Sequence, residues 1–164
     1  MKFGALSPDE AEGGIVVHSI RTSGLVLKKG TLVGKSEIAA LKAAGISSVT
    51  VARIEPGDVS EDVAAGEIAK AAAGEGARVD RAFTGRCNLF AENGGVLVVN
   101  EAAIDRLNEV DPDITLATLE AFAPVVPGKM IATVKIIPFA VSGAARDAAL
   151  DVARKAHPLV RVAP

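Results

Sequence analysis

An Asn-Gly dipeptide separates two short apolar runs in the middle of the chain. The runs cover residues 87–92 and 95–99, with Asn93-Gly94 between them. Asn-Gly is typical of the two-residue type I′ turn, because both central positions of that turn need positive φ. The pattern predicts an antiparallel hairpin over residues 86–99 in which Phe90 pairs with Leu97. Both faces of such a hairpin are largely apolar, so we expect it to lie buried at the centre of the domain.

Short helices and strands are mixed irregularly around this hairpin. Further strands are predicted over Ile15 to Ile20, Val49 to Ile54, Ile114 to Leu119 and Met130 to Ile137. Four helices are predicted to begin near Ser36, Ser60, Asn100 and Ser142, which are residue types that cap helix N-termini. The order favours an α+β fold with a mixed sheet, a central β-hairpin and four short helices.

The length of 164 residues suits one domain or two small subdomains. We expect an α+β domain over residues 1–141, with a subdomain break near residues 54–60, where Pro56-Gly57 forms a turn. Residues 142–164 are predicted to form a C-terminal helix and a linker toward a following domain. The apolar stripe of that helix is mostly alanine, and the apolar run after Pro158 stops abruptly at Pro164.

Composition argues against two classes of partner. Aromatic residues make up 3% of the chain, with no Trp and no Tyr, and the formal net charge is -2, so neither base stacking nor phosphate attraction favours nucleic acid. No apolar run approaches the ~20 residues that span a bilayer. The single cysteine cannot form an internal disulfide, which suits a reducing compartment. We expect a soluble, cytoplasmic protein without a membrane partner.

A search for catalytic motifs finds none of the common ones: no phosphate loop, no dinucleotide fingerprint, no HExxH, no GxSxG and no CxxC. We therefore predict no catalytic residue and no metal site, and no enzymatic activity for the chain by itself. Several residues keep two interpretations, structural or ligand-binding. His18 lies in an apolar strand, and Cys87 is expected to be a small buried side chain. The acidic group Glu55, Asp58, Glu61 and Asp62 consists of turn residues or of Mg²⁺ ligands. The Lys28-Lys29-Gly30 turn is exposed to solvent or contacts a phosphate.

The segment from Thr84 to Asn88 is the strongest binding candidate. In the predicted hairpin register, Arg86 and Asn88 share a face with Phe90 and other apolar side chains. An amide in such surroundings needs hydrogen bonds, which come from local backbone or from a polar ligand. Gly85 would let a ligand approach the backbone closely, and the guanidinium can grip phosphate oxygens. Thr84, Gly85, Arg86 and Asn88 are therefore the predicted cofactor-binding residues.

Six phrases, in order along the chain, resemble the N-terminal half of bacterial molybdopterin-binding proteins, which are related to the molybdopterin molybdotransferases of molybdenum cofactor biosynthesis. They read EAEGGIVVHSI, LKKGTLVGKSEIAALKAAGI, EPGDVSEDVAAGEIA, GRCNLFAENGGVLVVNEAAIDRLN, ITLATL and VPGKMIATVKIIPFAV. The resemblance covers nearly the whole chain. The cofactor domain of that family has a TG(D/N)E-like turn, where this chain has Thr84-Gly85-Arg86-Cys87, so no catalytic residue is carried over.

The resemblance implies an accessory domain for molybdopterin, a pterin-type small molecule, with a molybdenum-cofactor-type domain following it. Around Arg86 and Asn88 this domain would form the wall of a cleft. The alternative is a structural or dimerising module, a homodimer included, that positions a neighbouring cofactor-binding or nucleotidyltransferase-like domain. Binding of molybdopterin to the isolated chain would separate the two hypotheses.

Overall fold

Four helices and several small antiparallel sheets make up the fold, so the predicted α+β class is confirmed. The computed structural model describes residues 1–164, and the chain forms two units, Met1–Pro56 and Gly57–Pro164. Each unit contains a hydrophobic core of its own. None of the helices is both long enough and apolar enough to cross a membrane.

The first unit packs one helix against two small sheets. Its elements are β1 (Lys2–Leu6), β2 (Ile15–Val16), β3 (Ile20–Thr22), β4 (Leu25–Leu27), α1 (Lys35–Ala43) and β5 (Val49–Arg53). The strand predicted over residues 15–20 is therefore two short strands. Strand β5 lies between β1 and β2, and β3 pairs with β4. Leu41 of α1 and Val16, Val49 and Val51 of the sheet are buried in the core of this unit.

The second unit contains the other three helices and nine strands, arranged as a four-stranded, a three-stranded and a two-stranded sheet. Its elements are β6 (Asp58–Ser60), α2 (Glu61–Ala72), β7 (Ala77–Val79), β8 (Arg86–Ala91), β9 (Gly95–Val99), α3 (Glu101–Asn108), β10 (Ile114–Thr118), β11 (Pro124–Val125), β12 (Met130–Ile136), β13 (Ala140–Ser142), α4 (Gly143–Lys155) and β14 (Val160–Ala163). The strand orders are β10-β12-β8-β7, β11-β9-β14 and β13-β6.

The predicted mixed sheet is wrong, because every pairing between these strands is antiparallel. The predicted central hairpin is also wrong. Strands β8 and β9 form where the sequence places them, but they do not pair with each other. Residues 92–94 form a bend that carries the chain from one sheet into another. Phe90 therefore has Met130 and Arg78 as cross-strand neighbours instead of Leu97.

Other strands occupy both edges of each half of the predicted hairpin. Strand β8 lies between β12 and β7, and β9 lies between β11 and β14. The Ala91 N–H donates to the Lys129 carbonyl at 2.9 Å, so the end of β8 is also bonded away from β9. At Gly95 a Cβ atom would collide with the backbone of Ala163 in β14. Glycine is thus needed at position 95 because β9 and β14 approach each other closely there, and not because the chain makes a tight turn.

The predicted N-cap residue is correct at α2, α3 and α4 and wrong at α1, although the side chain of Ser60 makes no cap hydrogen bond at α2. The side chains of Asn100 and Ser142 accept N–H groups from the first turns of α3 and α4, at 3.3 and 3.1 Å. Helix α1 begins after Gly34, whose N–H donates to the Glu37 carboxylate at 2.9 Å. The hydroxyl of Ser36, the predicted cap, donates instead to Glu37.

The C-terminal segment is part of the second unit. Helix α4 contacts both α2 and α3, and Ala149 and Ala153 are fully buried. Residues 160–163, predicted as a linker, form β14, which pairs with β9 along its whole length. Leu159 and Val160 are fully buried, and this burial explains why the apolar run at the end of the chain forms a strand.

Candidate ligand-binding surface

A tight turn at Thr84-Gly85 forms one end of the predicted site. The Phe83 N–H donates to the Arg86 carbonyl at 2.9 Å, and the Arg86 N–H donates back to Phe83 at 3.1 Å. Thr84 has φ of 45° and Gly85 has φ of 73°, the two positive values that a type I′ turn requires. The turn type predicted at Asn93-Gly94 therefore occurs here. A β-branched residue is strained in this conformation, and such strain often occurs near functional sites.

The space beside Gly85 is filled by protein. Its N–H donates to the Asp62 carboxylate at 2.8 Å, and its carbonyl accepts the N–H of Ile136 at 2.7 Å. A Cβ atom at Gly85 would lie against the Glu61 carboxylate and 2.7 Å from the Ile136 carbonyl. The expectation that Gly85 leaves room for a ligand is wrong. Through these two hydrogen bonds, the turn connects the start of β8 to the start of α2 and to the end of β12.

Arg86, Asn88 and Phe90 do share one face of β8, as predicted. Cys87, Leu89 and Ala91 alternate with them and are buried in the core. Helix α2 contacts both β8 and β12, the two central strands of the sheet, and the core lies on this side. Arg86, Asn88 and Phe90 therefore lie on the opposite, outer face of the four-stranded sheet.

The neighbours of these residues come from β12 and not from β9. Thr133 lies opposite Asn88, and Lys135 lies opposite Arg86. Met130 lies opposite Phe90 and is 48% exposed. A hairpin with Phe90 opposite Leu97 would have placed Asn88 opposite Val99, but Val99 belongs to the other sheet. We call the six residues Arg86, Asn88, Phe90, Met130, Thr133 and Lys135 the outer-face cluster.

Two cations lie directly across from each other in this cluster. Neither Arg86 nor Lys135 forms an ion pair. Like charges opposite each other on neighbouring strands repel, so the arrangement favours an anion that contacts both. The guanidinium carbon of Arg86 also lies 5.9 Å from the centre of the Phe83 ring, a distance at which a cation and an aromatic ring attract.

Asn88 is held by a side chain and not by local backbone. The Thr133 hydroxyl donates to its Oδ1 at 2.8 Å. The amide nitrogen of Asn88 makes no hydrogen bond within the protein, so its N–H groups can donate to a ligand.

Phe90, the next residue on this face of β8, contacts a cation of β7. The guanidinium carbon of Arg78 lies 5.2 Å from the centre of the Phe90 ring, and the NH1 atom of Arg78 lies 3.7 Å from the Asp80 carboxylate.

The surface is an open sheet face with one small hollow. A cavity of about 150 Å³ is lined by residues of β10 and β12, among them Met130 and Thr133. Pockets that enclose a drug-sized ligand have roughly 300–1,000 Å³. The predicted cleft wall is therefore a shallow platform, with the hollow beside the Asn88–Thr133 pair.

The other candidate residues are placed apart from this surface. Cys87 is fully buried, and its thiol donates to the Asp80 carbonyl at 3.3 Å. The pKa of this thiol is raised, mainly by burial and to a lesser extent by the negative charge of Asp80. His18 is exposed between β2 and β3, so its structural interpretation as a buried or half-buried histidine of an apolar strand is wrong. No three His, Cys, Asp or Glu side chains come close enough together to hold a metal ion. Lys28 and Lys29 are exposed in a turn.

Sequence reasoning missed Thr133 and Lys135, which contribute half of the polar groups in the cluster. The available signal was the alternation of β12, where Lys135 is the one charged residue in MIATVKI. A charged side chain at an alternate position marks the solvent face of a strand. The alternation gives the face but not the neighbouring strand, so the pairing with Arg86 could not be deduced.

One comparison with known proteins gives a result. Residues 5–53 are similar to a family described as a domain of unknown function (DUF8806). The match covers less than a third of the chain and lies within the first unit, whereas the outer-face cluster lies in the second. No curated protein and no solved structure matches the chain significantly.

Proposed function

We propose that this chain is an accessory ligand-binding module that holds a phosphorylated pterin of the molybdopterin type on the outer-face cluster. The observation that carries the proposal is that Arg86 and Lys135 lie opposite each other, without an acidic partner, on an exposed sheet face. A phosphate bound between these side chains would remove their mutual repulsion and accept charge-assisted hydrogen bonds from both. The resemblance to molybdopterin-binding proteins supplies the ligand class.

The rest of the cluster suits a flat ring with polar edges. Phe90 and Met130 are cross-strand neighbours and provide an apolar platform for a ring. The Asn88 amide, held by Thr133, lies between this platform and the cations, in the position to donate to a ring oxygen or nitrogen. Phosphate and ring would thus lie along the direction of β8.

The module would bind and present the ligand without transforming it. Cys87 is turned into the core with a raised pKa, and neither histidine belongs to the outer-face cluster. Catalysis would then come from a molybdenum-cofactor-type domain beside it, in the cytoplasm. The alternative role, a dimerising module, is favoured by a separate observation, the unpaired outer edge of β1 in the first unit.

Titration of the full chain with molybdopterin tests the proposal, with Arg86→Ala as the main variant. Loss of one charged hydrogen bond is expected to cost about 1.5–3 kcal/mol, which raises Kd roughly ten- to hundredfold. The melting temperature should stay near that of the unmodified protein, because Arg86 is exposed. Arg106→Ala, which removes an exposed arginine of α3, is the matched control and should leave Kd unchanged.

A second ligand separates the contributions of the cluster. A pterin without phosphate should bind more weakly and should be insensitive to Arg86→Ala and Lys135→Ala, whereas Phe90→Ala should weaken the binding of both pterins. Equal losses in Arg86→Ala and Arg106→Ala would show unspecific attraction of an anion. The absence of any binding by the unmodified chain would refute the proposal.

A further inference from the structure

The outer edge of β1 is a free strand edge in the first unit. Strand β5 occupies one edge of β1, and no strand occupies the other. The direction of the backbone groups follows from one hydrogen bond, in which Val17 N–H donates to the Thr50 carbonyl at 3.1 Å, on the β2 side of β5. Because successive residues alternate, Val49, Val51 and Arg53 face β1.

The residues of β1 that oppose these three are Leu6, Gly4 and Lys2, so they make the bonds to β5. The N–H and C=O groups of Phe3 and Ala5 therefore point away from the sheet. Outside the strand ladders, no backbone hydrogen bond involves them. Phe3 is 56% exposed and Ala5 is exposed.

The opposite edge of the same sheet is closed. Val16 in β2 exchanges hydrogen bonds with the segment 30–33, where its N–H donates to Thr31 at 2.9 Å and its carbonyl accepts from Gly30 at 2.8 Å. Val33 and Gly14 continue this contact. Natural proteins commonly cover or charge strand edges to prevent pairing with other chains. Here one edge is covered, and β1 contains neither a proline nor a bulge.

We propose that β1 pairs antiparallel with β1 of a second copy of this chain, about a two-fold axis at Gly4. In this register Phe3 of each copy exchanges N–H···O=C bonds with Ala5 of the second copy, which uses all the outward-pointing groups named above. Gly4 then faces Gly4 as a non-hydrogen-bonded pair. The contact is self-complementary, as a two-fold interface must be.

The side chains suit this register. Non-hydrogen-bonded pairs bring Cα atoms closest, about 4.5 Å apart, and Gly4 has no side chain and open space around its Cβ position. Each Phe3 ring would lie beside the small Ala5 of the second copy. A charged side chain such as Lys2 discourages pairing at a strand edge, but the Lys2 Nζ forms an ion pair with the Glu55 carboxylate at 2.9 Å. An interface of one short strand is small, so the dimer is expected to be weak.

Disulfide trapping tests the dimer directly in the full chain. The Gly4→Cys variant should form a covalent dimer under mild oxidation, since the Cα separation across the axis lies within the range that disulfides accept. Cys87 is fully buried and does not compete in the folded protein. Ser47→Cys, an exposed loop position before β5, is the matched control and should remain mostly monomeric.

A proline on the free edge separates pairing from misfolding. In the Gly4→Cys background, Ala5→Pro should abolish the covalent dimer, because it removes an outward-pointing N–H that β5 does not use. Circular dichroism should show an unchanged fold. The proposal is overturned if Gly4→Cys remains monomeric at every concentration, if Ser47→Cys crosslinks equally well, or if Ala5→Pro folds and still crosslinks. Pterin binding plays no part in this test.

Discussion

At the residue scale, single side chains satisfy backbone groups that the strand pairing leaves open. Asn108, the last residue of α3, lies beside the outer edge of β10. Its amide nitrogen donates to the Leu116 carbonyl at 3.1 Å, and its Oδ1 accepts the Leu116 N–H at 2.7 Å. One side chain thus takes the place of a neighbouring strand at the centre of β10. This edge of the sheet is protected in a way that the edge of β1 is not.

Asn108→Ala should lower the free energy of unfolding by about 1–3 kcal/mol, because two hydrogen bonds to a partly buried backbone are lost together. Chemical denaturation measures the change. Asn93→Ala removes an asparagine from the exposed bend between β8 and β9 and should have little effect. Equal stability of the two variants would contradict the role of Asn108 at the edge of β10.

At the element scale, the first unit depends on carboxylates that hold turns together. Glu37 accepts hydrogen bonds from the Ser36 hydroxyl and the Gly34 N–H at the start of α1, and these bonds lower its pKa. Glu10 accepts the Ser7 hydroxyl at 2.6 Å and the Ser7 N–H at 3.1 Å, with the same effect on its pKa. Both interactions are strongest when the carboxylate is ionised.

These lowered pKa values predict acid sensitivity in the first unit. The ordinary pKa of a glutamate is 4.5, and each of these carboxylates has a lower pKa in the folded state. It therefore stabilises the fold at pH values above 4.5, and this stabilisation is lost as the pH falls through the pKa of the folded state. Thermal melts between neutral and acidic pH should show this decline. The double variant Glu10→Gln, Glu37→Gln should be less stable at neutral pH and decline less steeply. Glu12→Gln, at an exposed position, should follow the unmodified protein, and a parallel decline in all three would refute the assignment.

Helix α4 illustrates how far composition can mislead at this scale. Its alanine stripe suggests a loosely attached connector, because methyl groups bury little area. In the structure the small side chains allow a close approach to α2, where Ala65, Ile68 and Ala69 are fully buried. An ion pair between Arg146 and Glu67 joins the same two helices. Small residues here serve dense packing, which depends on the facing helix and not on α4 alone.

At the scale of the whole molecule, the two units have separate cores. All buried residues of the larger core lie between residues 64 and 162, and those of the smaller one lie between residues 11 and 51. A unit with a complete core can fold by itself if it buries enough surface. The second unit, at about a hundred residues, is within the usual size range of domains.

The fragment 57–164 should therefore fold without the first unit and keep the pterin affinity of the full chain. Dispersed amide signals in a two-dimensional NMR spectrum would report the fold, and the titration above would report binding. The Arg86→Ala fragment should lose affinity by the same factor as the full-length variant. A fragment that lacks cooperative unfolding would show that the second unit needs the first.

The sequence by itself determined the local features of this protein. It predicted the α+β class, four helices and two of the side-chain caps. It also placed Arg86, Asn88 and Phe90 on one face of a strand. Each of these depends on residues within a few positions of one another, through hydrogen bonds to the adjacent backbone or through the two-residue period of a strand.

Only the tertiary structure decided which strands pair. A turn such as Asn93-Gly94 favours a hairpin only locally, whereas β8 and β9 each have other strands as partners at both edges. The close contact of Gly95 with Ala163 and the placement of Lys135 opposite Arg86 join residues far apart in the chain. Such contacts depend on total burial across the sheet, which no local pattern encodes.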